Sequence, residues 1–165
     1  MTGADRDTFA LAQRVGSRLI EAGWSVTTAE SCTGGWIAKA LTDVAGSSQW
    51  FGEGFVTYSN EAKVRTLGVK RALLKSQGAV SGAVARAMAQ GALARTGATI
   101  AVAVTGIAGP DGGVAGKPVG TVWICWAEQR GARVLYRVER KRFRGNREAV
   151  RRKTVGWALM RLLIH

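Results

Sequence analysis

The segment from Thr99 to Thr105 constrains the fold of this chain more than any other part of the sequence. It is a continuous apolar run of strand length, and a glycine-rich loop from Gly106 to Gly116 follows it directly. A strand without alternating polar residues is typical of a sheet that is covered on both faces. The sequence therefore predicts a sheet with helices packed on both sides.

The rest of the chain alternates between helix and strand patterns. Leu11, Val15 and Leu19 form the apolar stripe of an amphipathic helix over residues 4–22. The other predicted strands are Ser25–Glu30, Glu53–Ser59, Val119–Glu128 and Val134–Phe143, and the other predicted helices are residues 34–41, 60–66, 70–77, 81–95 and from Asn146 onward. The last two strands are close enough for an antiparallel hairpin. We expect residues 1–165 to form a single domain, a three-layer α/β/α sandwich around a mixed, mostly parallel sheet of about five strands.

Composition disfavours several classes of site. The single histidine, His165, is the last residue, where a fixed position is not expected, so the sequence does not favour a Ser-His-Asp or Cys-His mechanism. Four scattered aspartates and two cysteines, Cys32 and Cys125, do not suggest a metal cage, and both thiols are expected to be free. No apolar run is long enough to span a membrane. We expect a cytoplasmic protein without cofactor, metal or membrane attachment.

The formal net charge is +13, and much of it lies near the C-terminus. The basic residues of this stretch are Arg130, Arg133, Arg137, Arg140, Lys141, Arg142, Arg144, Arg147, Arg151, Arg152 and Lys153, against Glu139 and Glu148. Such a stretch is either a solvated basic face or a site for an anion. Apart from Tyr136 and Phe143, aromatic residues are not interleaved with the basic ones, so a nucleic-acid partner is disfavoured.

Ser31 lies where the predicted strand Ser25–Glu30 runs into a helix that opens with Gly34 and Gly35. A serine on such a turn lies close to unpaired backbone N–H groups, which can stabilise the oxyanion formed when a hydroxyl adds to an amide carbonyl. Two other interpretations are a turn that binds phosphate and a simple helix cap. Cys32 is a rival nucleophile by adjacency.

A nucleophilic serine needs a base, and without a positioned histidine the candidates are lysine, tyrosine and carboxylates. Tyr58 ends a predicted strand at the same sheet edge as Ser31, and Lys63 lies about one turn into the next helix. Burial lowers the pKa of a lysine, which makes Lys63 a candidate general base. Thr105 and the glycine loop after it reach the same edge, so three loops predict one pocket. Thr105 either donates a hydrogen bond to the substrate or caps a turn with its hydroxyl.

These segments resemble the C-terminal domain family of the competence/damage-inducible protein CinA. The resemblance runs in order through Ala29–Gly35, Leu41–Ser48, Val56–Lys63, Ala103–Gly113 and Lys117–Val122. It implies a nicotinamide-mononucleotide amidohydrolase of pyridine nucleotide salvage, with Ser31 as nucleophile and with Lys63 and Tyr58 as proton-handling partners.

The same loops and the start of the last helix supply the residues that we expect to contact the substrate. The expected substrate-binding residues are Glu30, Thr33, Gly34, Gly35, Asn60, Thr105, Gly106 and Arg147, with the oxyanion donors among residues 33–35. Many family members carry a larger N-terminal domain that resembles molybdopterin-binding proteins. This chain matches only the amidohydrolase part, so we expect it to lack the pyrophosphatase activity linked to that domain.

The chain departs from the family pattern at Asn146, where aspartate is usual. Asn146 is still expected to cap the last helix, and Arg147 at its start is expected to hold the 5′-phosphate of the substrate. Two alternatives stay open: a basic nucleic-acid-binding module, and a degenerate paralogue that binds a nucleotide without hydrolysing it. A homodimer is expected from an exposed tryptophan-rich apolar surface.

Overall fold

The structure is a computed structural model that describes residues 2–163. A five-stranded sheet with the order β2-β1-β3-β4-β5 forms its centre. The strands are β1 (Val26–Glu30), β2 (Phe51–Val56), β3 (Ile100–Gly106), β4 (Thr121–Arg130) and β5 (Arg133–Arg142). β1 pairs in parallel with β2 and β3, whereas β4 pairs antiparallel with both β3 and β5. Only β4 therefore runs against the other four strands, which confirms the mixed, mostly parallel sheet.

Six α-helices cover the two faces of the sheet in the described chain. They are α1 (Gly3–Ala22), α2 (Trp36–Thr42), α3 (Asn60–Leu67), α4 (Arg71–Gln77), α5 (Gly82–Thr96) and α6 (Arg147–Leu162). Helices α1, α2 and α6 pack on one face, and α5 with α3 and α4 covers the other. This is the three-layer α/β/α arrangement that the sequence predicts.

The sequence of β3 shows how the two layers differ. Ile100, Val102 and Val104 face the α1–α2–α6 layer, whereas Ala101 and Ala103 face α5. Because side chains alternate between the faces of a strand, one face is filled by branched residues and the other by methyl groups. The short alanine side chains on the second face let the alanine-rich α5 pack close to the sheet.

Local signals placed the helix boundaries and those of β1, β3 and β5 well, whereas the boundaries of β2 and β4 shifted by two or three residues. Ser81 and Asn146 cap α5 and α6 as predicted. The second strand ends at Val56 instead of Ser59, because Ser59 turns to cap α3. The fourth strand begins at Thr121 because Gly120 adopts a left-handed conformation, with φ of 88°, in the preceding turn.

The expectation of an exposed tryptophan surface is wrong. Trp50 and Trp126 are buried, and the other tryptophans, Trp24, Trp36, Trp123 and Trp157, are half-buried. Each half-buried indole lies under at least one arginine or lysine side chain, which covers its face. The structure therefore removes the observation from which a homodimer was predicted.

Two further expectations concern cysteine and histidine. Cys32 and Cys125 are free and buried, as predicted, and they belong to the hydrophobic clusters on opposite faces of the sheet. His165 lies outside the described residues. None of the helices within residues 2–163 has the length and apolarity needed to cross a membrane.

Candidate active site

A cavity of about 290 Å³ opens at the edge of the sheet where β1, β2 and β3 end. Ser31 reaches it from the end of β1, Lys63 from α3 after β2, and the loop Gly106–Gly112 from the end of β3. Parallel strands end at the same edge, and this is where open α/β sheets bind ligands. Since β5 ends at this edge too, α6 begins beside the cavity and brings Arg147 to it.

Ser31 and Lys63 are in direct contact. Lys63 Nζ lies 3.0 Å from Ser31 Oγ, and it also donates hydrogen bonds to the carbonyl oxygens of Thr57, at 2.8 Å, and Tyr58, at 3.2 Å. Lys63 is 1% exposed and Ser31 is 8% exposed. Within residues 2–163 the lysine has no ion-pair partner, so all its polar contacts are with uncharged oxygens.

This environment favours the neutral amine of Lys63. Desolvation by burial lowers the pKa of Lys63 from its ordinary value, because burial penalises the charged form. A neutral amine has two N–H groups and one lone pair. The carbonyls of Thr57 and Tyr58 accept from the two N–H groups, which leaves the lone pair for the hydroxyl proton of Ser31. The arrangement has the geometry that a nucleophilic serine and a general base require.

The environment of the Cys32 thiol disfavours its deprotonated, nucleophilic form. It lines the cavity beside Ser31, but burial raises its pKa to about 12. The thiolate is the nucleophilic form of cysteine, and at this pKa almost none is present near neutral pH. Cys32 is therefore disfavoured as the nucleophile.

Tyr58 lines the cavity, as the sequence predicts, but its phenol does not contact the Ser31–Lys63 pair. Its side chain is 60% exposed, and its hydroxyl oxygen accepts a hydrogen bond of 2.8 Å from Arg147 Nη2. No hydrogen bond joins the phenol to Ser31 or Lys63 within the described chain. The backbone carbonyl of Tyr58, in contrast, binds Lys63 Nζ. Tyr58 thus contacts the base through its main chain and the mouth of the cavity through its ring.

Arg147 lies at the mouth of the cavity, as expected from its place at the start of α6. Its second hydrogen bond goes from Nη1 to the carbonyl oxygen of Gly109, at 2.7 Å. Both partners of the guanidinium, the Tyr58 phenol and this carbonyl, are uncharged. An incoming anion would therefore find a cation that no carboxylate neutralises. Asn146 caps α6 by accepting from the Ala149 N–H, at 2.9 Å, and does not line the cavity.

The turn that holds Ser31 has two backbone N–H groups without an acceptor within residues 2–163, and only one of them, that of Thr33, is among the expected residues 33–35. The N–H of Gly34 donates to the Ser31 carbonyl, at 3.1 Å, and that of Gly35 donates to Glu30 Oε2, at 3.1 Å. The N–H groups of Cys32 and Thr33 have no acceptor in the part of the chain described. The left-handed φ values of Gly34 and Gly35, 62° and 92°, let the chain turn into α2 at this point.

Glu30 was expected to contact the substrate, but its carboxylate is fully buried. It accepts four hydrogen bonds, of 2.6 Å from Thr33 Oγ1, 3.1 Å from Gly35 N–H, 3.0 Å from Ile37 N–H and 2.8 Å from Ala38 N–H. The side chains of Glu30 and Thr33 therefore fix the turn and the start of α2. Neither residue lines the cavity.

The remaining predicted residues lie at the cavity. Asn60, Thr105 and Gly106 all line it. Thr105 Oγ1 donates its proton to the Ala79 carbonyl, at 2.8 Å, so it holds the neighbouring loop and keeps only its oxygen for a ligand. A Cβ on Gly106 would lie 2.8 Å from the Thr121 carbonyl oxygen, which explains why a glycine is needed at the end of β3.

Sequence reasoning missed two parts of the site. It did not identify the Thr57 carbonyl as a partner of Lys63, because a main-chain acceptor leaves no mark on the sequence. It noted Arg151 only as a neighbour of Arg147, although a spacing of one helical turn places both on the same face of α6. Within residues 2–163, no three His, Cys, Asp or Glu side chains come together as metal ligands.

Comparison with known proteins shows the family. The model of the CinA C-terminal domain matches residues 8–165. The nicotinamide-nucleotide amidohydrolase PncC of Shigella flexneri is 52% identical over 96% of this chain and 94% of its own length. The protein of the same name from Pseudomonas putida is 57% identical over 93% of both chains.

Solved structures give the same result. The competence damage-inducible protein A of Klebsiella pneumoniae has a TM-score of 0.90 and 44% identity over 95% of both chains. The competence/damage inducible protein CihA of Agrobacterium tumefaciens has a TM-score of 0.88 and 47% identity over 96% of this chain and 94% of that one. This chain belongs to the CinA C-terminal domain family.

The role of Glu30 gives a stability prediction. In Glu30→Gln an NH2 group replaces one carboxylate oxygen, so at least one buried N–H group of the turn or of α2 loses its acceptor. We expect the free energy of unfolding to fall by about 2–4 kcal/mol, measured by denaturant titration. Glu53→Gln, an exposed carboxylate on β2, is the matched control and should change stability by less than about 0.5 kcal/mol. Equal stability of the two variants would contradict this role.

Proposed function

We propose that this member of the CinA C-terminal domain family hydrolyses the carboxamide of nicotinamide mononucleotide, giving nicotinate mononucleotide and ammonia. The observation that carries the proposal is the buried contact of 3.0 Å between Lys63 Nζ and Ser31 Oγ, where the amine has no charged partner in the described chain. The names of its relatives from Shigella flexneri and Pseudomonas putida support the substrate class.

The first half of the reaction forms an ester on Ser31. The neutral amine of Lys63 takes the hydroxyl proton while Ser31 Oγ adds to the carboxamide carbon. The N–H group of Cys32, which lines the cavity, is the proposed donor to the oxyanion, and a well-placed donor of this kind contributes roughly 3 kcal/mol to transition-state stabilisation. The oxyanion then collapses, the C–N bond breaks, and the Lys63 ammonium gives its proton to the leaving nitrogen, which departs as ammonia.

The second half regenerates the enzyme with the same pair of residues. Water takes the place of ammonia, Lys63 accepts one of its protons, and the resulting hydroxide adds to the ester carbon. The second tetrahedral intermediate expels Ser31 Oγ, which recovers a proton from Lys63. This step restores the Ser31 hydroxyl and the neutral amine of Lys63 and releases nicotinate mononucleotide. The reaction therefore balances without a cofactor or metal.

The cavity suits this substrate in size and in charge. A volume of about 290 Å³ is at the low end for small-molecule sites and accommodates a pyridine ring with part of its ribose. With the carboxamide at Ser31, we place the 5′-phosphate at the mouth with Arg147. Asn60, the Thr105 oxygen and the backbone at Gly106 are the proposed contacts to the ring and the sugar.

We propose a different part for Tyr58 from the one that the family resemblance implied. Its carbonyl orients the amine of Lys63, and its phenol supports Arg147 at the mouth. The proton shuttle is then a property of Ser31 and Lys63 alone. Replacing the phenol by phenylalanine would weaken the hold on Arg147 without removing the base.

The two alternatives have less support. A nucleic-acid-binding module has no use for a buried amine beside a serine, and the aromatic groups near the basic stretch are covered: Tyr136 by Arg86, and Trp157 by Lys141 and Arg161. A degenerate paralogue was suggested by Asn146. That residue still caps α6, as an aspartate would, so the exchange removes nothing from the Ser31–Lys63 pair.

The same proposal extends to the metabolic role, the cellular location and the oligomeric state. A role in pyridine nucleotide salvage follows from the proposed substrate and product. A cytoplasmic location follows from two free, buried thiols together with a nucleotide substrate. The homodimer stays a prediction, now without the tryptophan surface that suggested it.

Removing the nucleophile tests the mechanism. Ser31→Ala should lower ammonia release from nicotinamide mononucleotide by at least about a thousandfold while leaving the circular dichroism spectrum unchanged, because the hydroxyl takes part only in chemistry. Ser76→Ala, at an exposed serine on α4, is the matched control and should keep full activity. Activity retained in Ser31→Ala and lost in Cys32→Ala would assign the attack to the thiol instead.

Substrates with and without phosphate test Arg147. Arg147→Ala should raise KM for the mononucleotide about 10- to 100-fold, as expected when a charge-assisted hydrogen bond is lost, and leave the affinity for nicotinamide riboside almost unchanged. Steady-state kinetics on both compounds, with the riboside as substrate or as competing ligand, provide the comparison. An equal effect on both compounds would show that Arg147 does not bind the phosphate.

A further inference from the structure

Arg151 binds the turn of Ser31 from outside the cavity. Its Nε donates to the Cys32 carbonyl at 3.1 Å, and its Nη2 donates to the Thr33 carbonyl at 2.8 Å. The guanidinium also packs against the ring of Trp36, 5.3 Å from its centroid. Arg151 does not line the cavity, so it has no direct access to a substrate there.

The two hydrogen bonds act on the proposed oxyanion donor, the N–H group of Cys32, through the peptide groups of the turn. The Cys32–Thr33 peptide is trans, so its N–H points away from its C=O, and fixing the Cys32 carbonyl fixes the direction of the Thr33 N–H. The second bond fixes the Thr33–Gly34 peptide. The N–H of that peptide holds the Ser31 carbonyl and thereby sets the direction of the Cys32 N–H.

We infer that Arg151 is a positioning residue for the oxyanion donor: its guanidinium fixes the Ser31–Gly34 peptides so that the N–H group of Cys32, the residue of this turn that lines the cavity after Ser31, faces the reacting carbonyl. The inference rests on the proposed serine mechanism and adds a residue to it. A positive charge on the carbonyl side of a peptide also polarises it, which makes its N–H a better donor.

An arginine suits this position better than a lysine. The rigid fork of a guanidinium presents two donors to two neighbouring carbonyls, whereas an ammonium is a point charge that does not reproduce this geometry. Space is also limited on this side of the turn, since a Cβ on Gly34 would lie 3.3 Å from Arg151 Nη2. The turn and the guanidinium therefore fit each other closely.

The neighbouring residue Arg152 provides a matched control. It lies beside the same indole, 5.2 Å from the Trp36 centroid, but its hydrogen bonds go to Asp5 and Glu148. Replacing Arg152 removes the same charge from the same helix and the same aromatic neighbour without touching the Ser31 turn.

The experiment compares Arg151→Lys, Arg151→Gln and Arg152→Gln with the wild type. Steady-state kinetics on nicotinamide mononucleotide should give a kcat about 10- to 100-fold lower in both Arg151 variants with little change in KM, since a misplaced oxyanion donor affects the transition state and not substrate binding. Arg152→Gln should stay within about twofold of the wild type. A general loss of folding would instead lower the active fraction, which titration of active sites detects.

A second readout does not depend on the substrate. A phosphonofluoridate places its P–O group where the oxyanion forms. The rate at which it labels Ser31, followed by mass spectrometry, should therefore fall in the Arg151 variants by a similar factor and stay unchanged in Arg152→Gln.

If the wild type does not hydrolyse the mononucleotide but Ser31 labelling depends on Arg151, the proposed substrate is wrong and the inference stands. If the mononucleotide is hydrolysed and neither kcat nor labelling depends on Arg151, the inference is overturned and the proposed function stands. Failure of the wild type to label Ser31 at all overturns the inference.

Discussion

A buried lysine without a carboxylate partner is the physical constraint on which this site depends. Lys63 Nζ contacts the Ser31 hydroxyl and the carbonyls of Thr57 and Tyr58, all uncharged, so the desolvation cost of the ammonium is not repaid by an ion pair. Burial thereby lowers the pKa of Lys63 from its ordinary value, which favours the proposed role of its neutral amine as the base for Ser31. Lysine takes the part that histidine has in many serine hydrolases, in a chain whose only histidine is its last residue.

The sheet brings the parts of this pair together, and buried polar contacts hold them there. Parallel pairing of β1 with β2 and β3 places Ser31, the segment before α3 and the glycine loop at one edge. Behind the nucleophile, Glu30 satisfies the first N–H groups of α2 and Arg151 binds the carbonyls of the turn. In the proposed mechanism, a carboxylate and a guanidinium that do not line the cavity thus set the direction of the backbone N–H groups around Ser31.

Local interactions in this fold could be predicted from the sequence, and side-chain contacts between distant segments could not. The caps Ser81 and Asn146 and the hairpin of β4 and β5 depend on residues a few positions apart. The approach of Lys63 to Ser31 is the exception, because strand ends that meet at one edge predict it from the sequence. The prediction that Glu30 binds substrate and that Gly34 and Gly35 donate to the oxyanion did not match the geometry, since the carboxylate turned inward to the helix N–H groups. Nothing in the residue types alone distinguishes these two orientations.

The central claim is that Lys63 in its neutral form is the base for Ser31, and the pH dependence of kcat/KM for ammonia release tests it most directly. Because burial lowers the pKa of Lys63 below its ordinary value, and because the unprotonated amine is the active form, activity should rise with pH to a plateau, with a midpoint below that of a free lysine. The same rising limb should persist in Tyr58→Phe, which keeps the lysine and removes the phenol. A profile that is flat or falls with pH in the wild type, or a limb that disappears in Tyr58→Phe, would contradict the account.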